Sequence, residues 1–207
     1  MESGSALRLP AHDTRIAEIL GLVRKAFVEK GFDGASMQDL ARSAGMSVGN
    51  FYRYFPSKDA IVEALVAWDM DEIDQEFARI LQAPDPMAVL RLVLAEHVMD
   101  SRCDDDGALW TEICAAAKRK PRIAEVSARM ESAIVDRLVS VFQLASQNTD
   151  PARKQVFVTE ARMLVLLVKA SKIHSLDVPE DDTNLKLRVQ RTIHDILNSL
   201  FEDRPPC

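Results

Sequence analysis

The chain has 207 residues, 47% of them apolar, and a formal net charge of −6, so it can bury the core of one domain or of two small ones. Few glycines and prolines (7 and 9) and 6% aromatics suit an all-helical protein, and with no apolar run of about 18 residues no transmembrane helix is expected. The opening MESGSALRLPAH lacks the basic start and long apolar stretch of a signal peptide, so a cytosolic location is expected. Cys103, Cys114 and Cys207 are odd in number and have no CxxC spacing, which argues against a disulfide framework or a zinc site.

Helical periodicity, punctuated by proline, predicts about nine helices. The first runs from Asp13 or Thr14 to Lys30 with Ile16, Leu20, Val23 and Phe27 inward, and Gly31 ends it in a left-handed cap. The second spans Ser36–Ser43, where Ser36 and Asp39 make an S-x-x-D start signal. The third spans Ser47–Tyr54. The fourth runs from Ser57 to about Leu81, with Ile61, Leu65, Trp68, Ile73, Phe77 and Ile80 inward. Five more are expected at about 86–100, 108–119, 121–146, 151–174 and 183–202, and the tail EDRPPC is expected to fray. Within the eighth, MLVLLV (163–168) is apolar all round and should be covered on several sides. The ninth carries Leu185, Val189, Ile193, Ile196, Leu197 and Leu200. These two helices are either the most buried of the monomer or pack against a second subunit.

The second and third helices, joined by SAGMS, have the dimensions of a helix-turn-helix. Ala41 and Ala44 permit close approach, and Gly45 can take the positive φ of a tight turn. Leu40 and Met37 fill the inner side, and Ser47 is placed to cap the third helix. On a wheel of about 100° per residue, Phe51 and Phe55 fall together with Tyr54 close by, while Gly49, Asn50, Tyr52 and Arg53 fall opposite. That outer face suits a DNA major groove: Asn pairs with adenine, Arg with guanine, and a Tyr hydroxyl or a free helix N–H holds phosphate. Val48 sits on the border, either packed inward or against a thymine methyl. A cation at Lys58 opposes the dipole of the fourth helix, so stability gives no reason for it, whereas a bound phosphate would. Residues 1–58 hold 8 Lys/Arg and 6 Asp/Glu, net +2, and residues 59–207 hold 18 and 26, net −8. This asymmetry permits a DNA-binding head. The bland alternative is an ordinary helical corner whose aromatics are core.

The run EKGFDGAS followed by MQDLARSAGMSVGNFYRYFPSKDAIVEAL closely resembles the N-terminal domain of TetR/AcrR-family transcriptional regulators, over roughly residues 13–70. The resemblance implies a helix-turn-helix domain over 13–60 (motif 36–55), a connecting helix to about 81, and a ligand-binding and dimerisation domain over 82–207. It implies a homodimer through helices 151–174 and 183–202, a palindromic double-stranded operator, and a small-molecule effector that relieves repression. By position it implies DNA contacts at Met37, Ser47, Val48, Gly49, Asn50, Tyr52, Arg53, Tyr54 and Lys58. Val48 departs from the polar residue often found there, which shifts base reading toward Asn50 and Arg53.

Elsewhere the chain offers little chemistry. His12, His97, His174 and His194 have no His partner and no acidic residue three or four positions upstream, so no helical metal site is expected. Cys103 and Asp104-Asp105-Asp106-Gly107 lack the later carboxylate of a calcium loop and read as a solvated loop. There is no nucleophile elbow, P-loop or dinucleotide motif, so neither enzyme activity nor a cofactor is expected. A ligand cavity should lie among the fourth to eighth helices, with Trp68, His97, Trp110, Cys114, Met130, Phe142 and Met163 as candidate lining residues. The rival readings are a ligand-independent architectural DNA-binding factor, marked by a filled core, and an all-helical enzyme with an incidental helix-turn-helix.

Overall fold

The computed structural model describes residues 14–99, 104–147, 150–177 and 183–201. Among them the fold is all-α: α1 (Thr14–Lys30), α2 (Met37–Ser43), α3 (Val48–Tyr54), α4 (Lys58–Gln82), α5 (Pro86–Met99), α6 (Asp104–Ala117), α7 (Pro121–Ser146), α8 (Pro151–Asp177) and α9 (Thr183–Ser199). The tail EDRPPC lies outside the described residues, as do His12, Cys103 and Cys207.

The helix starts obey local chemistry. Ser36, Ser47 and Ser57 each accept a backbone N–H three residues on, at 3.1, 3.4 and 3.1 Å, which satisfies donors that the first turn leaves unpaired. Pro86, Pro121 and Pro151 open α5, α7 and α8, where a missing N–H costs nothing. Gly31 (φ 71°) closes α1 and Gly45 (φ 64°) follows α2, both in the left-handed region that favours glycine.

One boundary departs clearly from expectation. The segment Asp104–Gly107, expected as a solvated loop, is the first turn of α6. Acidic residue types favour a helix N-terminus through the macrodipole, so the acidic run reads better as a helix start.

Two buried clusters divide the chain differently from its linear order. The first joins α1, α2, α3 and the first half of α4 to Leu109, Ile113 and Ala116 of α6 and Ile123, Val126 and Met130 of α7. The second joins Phe77 and Ile80 of α4 to α5, the second half of α7, α8 and α9. Thus α6 and the start of α7 pack on the head. Ile16, Leu20, Val23 and Phe27 are all buried, as the period of α1 predicts.

The apolar segment of α8 is covered on one side only. Leu164 and Val165 are buried, but Met163 and Leu166 are 44% and 61% exposed. In α9, Ile193 and Leu197 are buried, as is Leu200 just beyond it, while Leu185 is exposed.

Candidate nucleic-acid interface and effector cavity

The corner between α2 and α3 is tied by backbone. Gly45 N–H donates to Arg42 O (3.0 Å) and Met46 N–H to Ala41 O (2.9 Å). At α2, Asp39 N–H donates to Ser36 Oγ (3.1 Å) and Ser36 N–H to Asp39 Oδ2 (3.0 Å), a reciprocal capping box. Lys30 Nζ donates to Asp39 Oδ1 at 2.6 Å. Hydrogen bonds from Lys30 and then Ser36 hold the Asp39 carboxyl well below the usual carboxylate range.

Helix α3 is held by one face and presents the other. Phe51 and Phe55 are fully buried, their ring centroids 5.4 Å apart, and Tyr54 lies half-buried beside Phe55 at 6.3 Å. Ser47, Val48, Gly49, Asn50, Tyr52 and Arg53 are all exposed. Val48, on the border in the sequence, faces outward at 37% exposure. A β-carbon at Gly49 would meet nothing within 4 Å, so packing within the chain does not require glycine there. Met37 is half-buried against the first cluster. Arg42, not singled out in the sequence, is also exposed on α2.

Lys58 has a structural role that its sequence position does not suggest. Its Nζ donates to Phe32 O at 2.7 Å and Asp33 O at 3.2 Å and lies 4.9 Å from the centroid of the Phe32 ring. The expectation that stability offers no reason for a cation here is therefore corrected. The ammonium binds two carbonyls of the α1–α2 connection and a buried aromatic face.

Polar contacts fasten the head to the body. Glu112 Oε2 accepts Phe32 N–H at 2.7 Å. Arg119 pairs with Asp33, Lys120 with Asp59 (3.3 Å) and Arg122 with Glu63. Arg24 of α1 pairs with Asp69 of α4. These partners lie 45 to 86 residues apart, so local spacing carries no sign of them.

The body contains a cavity of about 190 Å³ among α4–α8. Four of the seven expected residues line it: His97, Trp110, Cys114 and Met130. Trp68 instead lines an adjoining vestibule of about 680 Å³ between α1 and α4. Two expectations are corrected. Phe142 is fully buried in the second cluster, its ring edge-on to Phe157 at 5.8 Å, and Met163 faces outward. Met163 lies in the segment of α8 that is apolar all round, whose faces the sequence does not distinguish, whereas Phe142 continues the inward face of α7 one turn beyond Leu138, past the end of the cavity.

Beyond His97 and Cys114, the cavity's polar groups are not foreseen by the sequence. His97 Nε2 lies 3.1 Å from Glu76 Oε2, a partner 21 residues upstream and on another helix. That hydrogen bond is the main reason the Glu76 carboxyl lies below its ordinary value; burial opposes it, and Arg79 and Lys172 assist. Lys169 pairs with Glu131 at 2.7 Å, and both line the wall. Ser127 Oγ is buried without a hydrogen-bond partner among the described residues. The sequence signal was the pair of lysines, 169 and 172, interrupting an apolar helix.

A helix-turn-helix head, with one helix anchored by aromatics and bare on its outer face, is thus mounted on a helical body containing a cavity. Residues 19–65 match the family model described as bacterial regulatory proteins, tetR family. The HTH-type transcriptional regulator UidR of Escherichia coli (strain K12) is 30% identical over 121 residues, covering 57% of this chain and 59% of that protein. The aligned region therefore spans little more than half the length of this relative. Salmonella enterica GusR shares the fold at a TM-score of 0.69 and 22% identity, covering 95% of this chain and all of that one. AibR, solved in complex with isovaleryl coenzyme A and operator DNA, shares it at 0.60 and 19% identity, covering 90% and 98%. The head thus matches the TetR family of bacterial regulatory proteins over residues 19–65, and the chain shares the fold of these two solved structures.

Proposed function

We propose that this protein is a dimeric, ligand-responsive DNA-binding transcriptional regulator, a repressor released from a palindromic operator by a small molecule. The observation that carries this reading is the outer face of α3. Six consecutive or near-consecutive positions, Ser47 to Asn50, Tyr52 and Arg53, are exposed on a helix that two buried phenylalanines hold in place. Asn50 and Arg53 read base edges, Val48 meets a thymine methyl, and Gly49 lets the backbone approach. Ser47, Tyr52 and Tyr54 hold phosphates, Met37 flanks them from α2, and Lys58 has one N–H left for a phosphate beyond its two carbonyls.

The helix-turn-helix domain is residues 13–60, extended by α4, and the effector and dimerisation domain is residues 82–207. The exposed Met163, Leu166, Leu185 and Leu187 of α8 and α9 support a homodimer through these helices, since such a patch is otherwise left in water. The cavity favours ligand response over an architectural role, which would suit a filled core. UidR is an HTH-type transcriptional regulator, which supports a non-enzymatic role. No described helix is long and apolar enough to cross a membrane, in keeping with a cytosolic regulator. In mechanism, ligand favours a head spacing that misses two half-sites about 34–36 Å apart.

The test is a titration against genomic DNA fragments at two salt concentrations. A regulator retains a few fragments at the higher salt and loses the rest. Uniform weak binding to every fragment refutes the reading.

A further inference from the structure

The inner cavity and the vestibule meet. Ile73, Glu76, His97, Trp110, Met130 and Lys172 line both. On the inner side of this ring the wall is apolar, with Phe77, Leu90, Leu94, Leu138 and Leu164. On the outer side it is mixed, with Leu20, Leu65 and Trp68 beside polar groups, and it reaches the head, where Gly21 and Arg24 of α1 line it together with Glu72, Gln75 and Arg79 of α4.

The charges around the junction are mostly paired. Glu131 has Lys169 and Asp69 has Arg24, while Glu76 is hydrogen-bonded to His97. Glu72 is exposed to water. Lys172 and Arg79 donate no hydrogen bond to any described residue, although both act on Glu76 through space. Among the described residues of the junction they are the cations left to meet an incoming group. Gly21 adds a separate observation. It sits inside α1, where alanine makes a better helix, and a β-carbon there would meet nothing within 4 Å. Its bareness widens the vestibule.

We infer that cavity and vestibule form one effector site for an amphipathic organic anion, its apolar body in the inner cavity and its carboxylate between Lys172 and Arg79, against α1 of the head. A carboxylate would lose its hydration in the apolar inner space, so it stays at the junction, where two cations can donate to it. A cationic head group there would face both cations. The inference rests on the cavity being the effector site and names the chemical class of that effector.

The full-length protein is titrated with decanoate, decan-1-ol and decylamine below their aggregation limits, following emission of Trp110 and Trp68, both of which line the vestibule. Decanoate is expected to bind about tenfold or more tightly than decanol, as a charge-assisted pair exceeds a neutral one, and decylamine most weakly. Lys172→Met with Arg79→Met should bring decanoate to the affinity of decanol and leave decanol unchanged. Lys172→Gln serves if that double variant does not fold. Gly21→Leu should weaken decanoate by filling the vestibule. Equal binding of decanoate and decanol, or tightest binding of decylamine, overturns the anion assignment and leaves the cavity as an effector site. No emission change with any of the three overturns the assignment and the cavity's effector role together, while DNA binding is judged by its own titration.

Discussion

The Glu112 carboxylate of α6 accepts the backbone N–H of Phe32 at 2.7 Å, joining the body to the turn that follows the first helix of the head. Trp110 and Cys114, two residues to either side, line the cavity, so one short helix touches both cavity and head. Glu112→Ala leaves a part-buried N–H without its acceptor, a loss of about 1–3 kcal/mol. Glu112→Gln keeps an acceptor oxygen and should lose less. Urea unfolding of the three proteins at neutral pH checks the order; equal stability of Glu112→Ala and the parent would contradict it.

Lys58 and Arg53 should separate stability from recognition. Lys58→Ala removes two charge-assisted bonds to carbonyls and is expected to lower stability by about 1.5–3 kcal/mol. Arg53 is exposed on α3, so Arg53→Ala should leave stability within about 0.5 kcal/mol. Arg53→Ala, and likewise Asn50→Ala, should relax base preference by about 1–3 kcal/mol at one operator position. Thermal melts paired with DNA titrations of each variant test this contrast, which fails if Lys58→Ala melts like the parent.

Asp39 predicts an acid-side dependence. Its carboxyl is held below the ordinary range by Lys30 and Ser36, so the folded state binds its proton less readily than the unfolded chain. The resulting stabilisation is fully present above the unfolded value near about pH 4 and is lost as pH falls below it. Asp39→Asn removes the titrating group, so its urea midpoint should lie below that of the parent at neutral pH, and the gap should narrow as pH drops below about 4. A gap that stays constant down to acid pH would exclude Asp39 as a source of the dependence.

How much of this was legible in the sequence follows from the range of the interactions. Ser36, Ser47, Gly31 and Gly45 act within a few residues, and local spacing predicts their roles. The faces of α3 follow from the helical period, except at Val48, whose border position only the packing of Phe51 and Phe55 decides. The role of Lys58 escapes local spacing because its partners, Phe32 and Asp33, lie 26 and 25 residues away, beyond any helical period. The same holds for Glu76 and His97. Met163 is not placed by sequence because MLVLLV is apolar all round and only neighbouring helices select a face, while Phe142 shares the inward face of α7 with Met130 and Leu138 and only the extent of the cavity leaves it out.

The exposed apolar face of α8 and α9 predicts the oligomeric state. Leu166→Glu, with Met163→Glu where one charge is insufficient, would set like charges across a two-fold interface. Sedimentation at micromolar concentration should show a dimer for the parent and a monomer for the variant. The helical circular dichroism signal should be retained, because Leu166 is 61% exposed. A monomeric parent would refute assembly through this face.

The central claim, that α3 reads DNA, is tested most directly by selecting binding sites from random-sequence duplexes and footprinting the selected DNA with the parent and the Asn50→Ala and Arg53→Ala proteins. The account predicts a palindromic site with two protected major-groove segments about one helical turn apart, and altered base preference in both variants. No enrichment over random sequence, or a selected site identical in all three proteins, would contradict it.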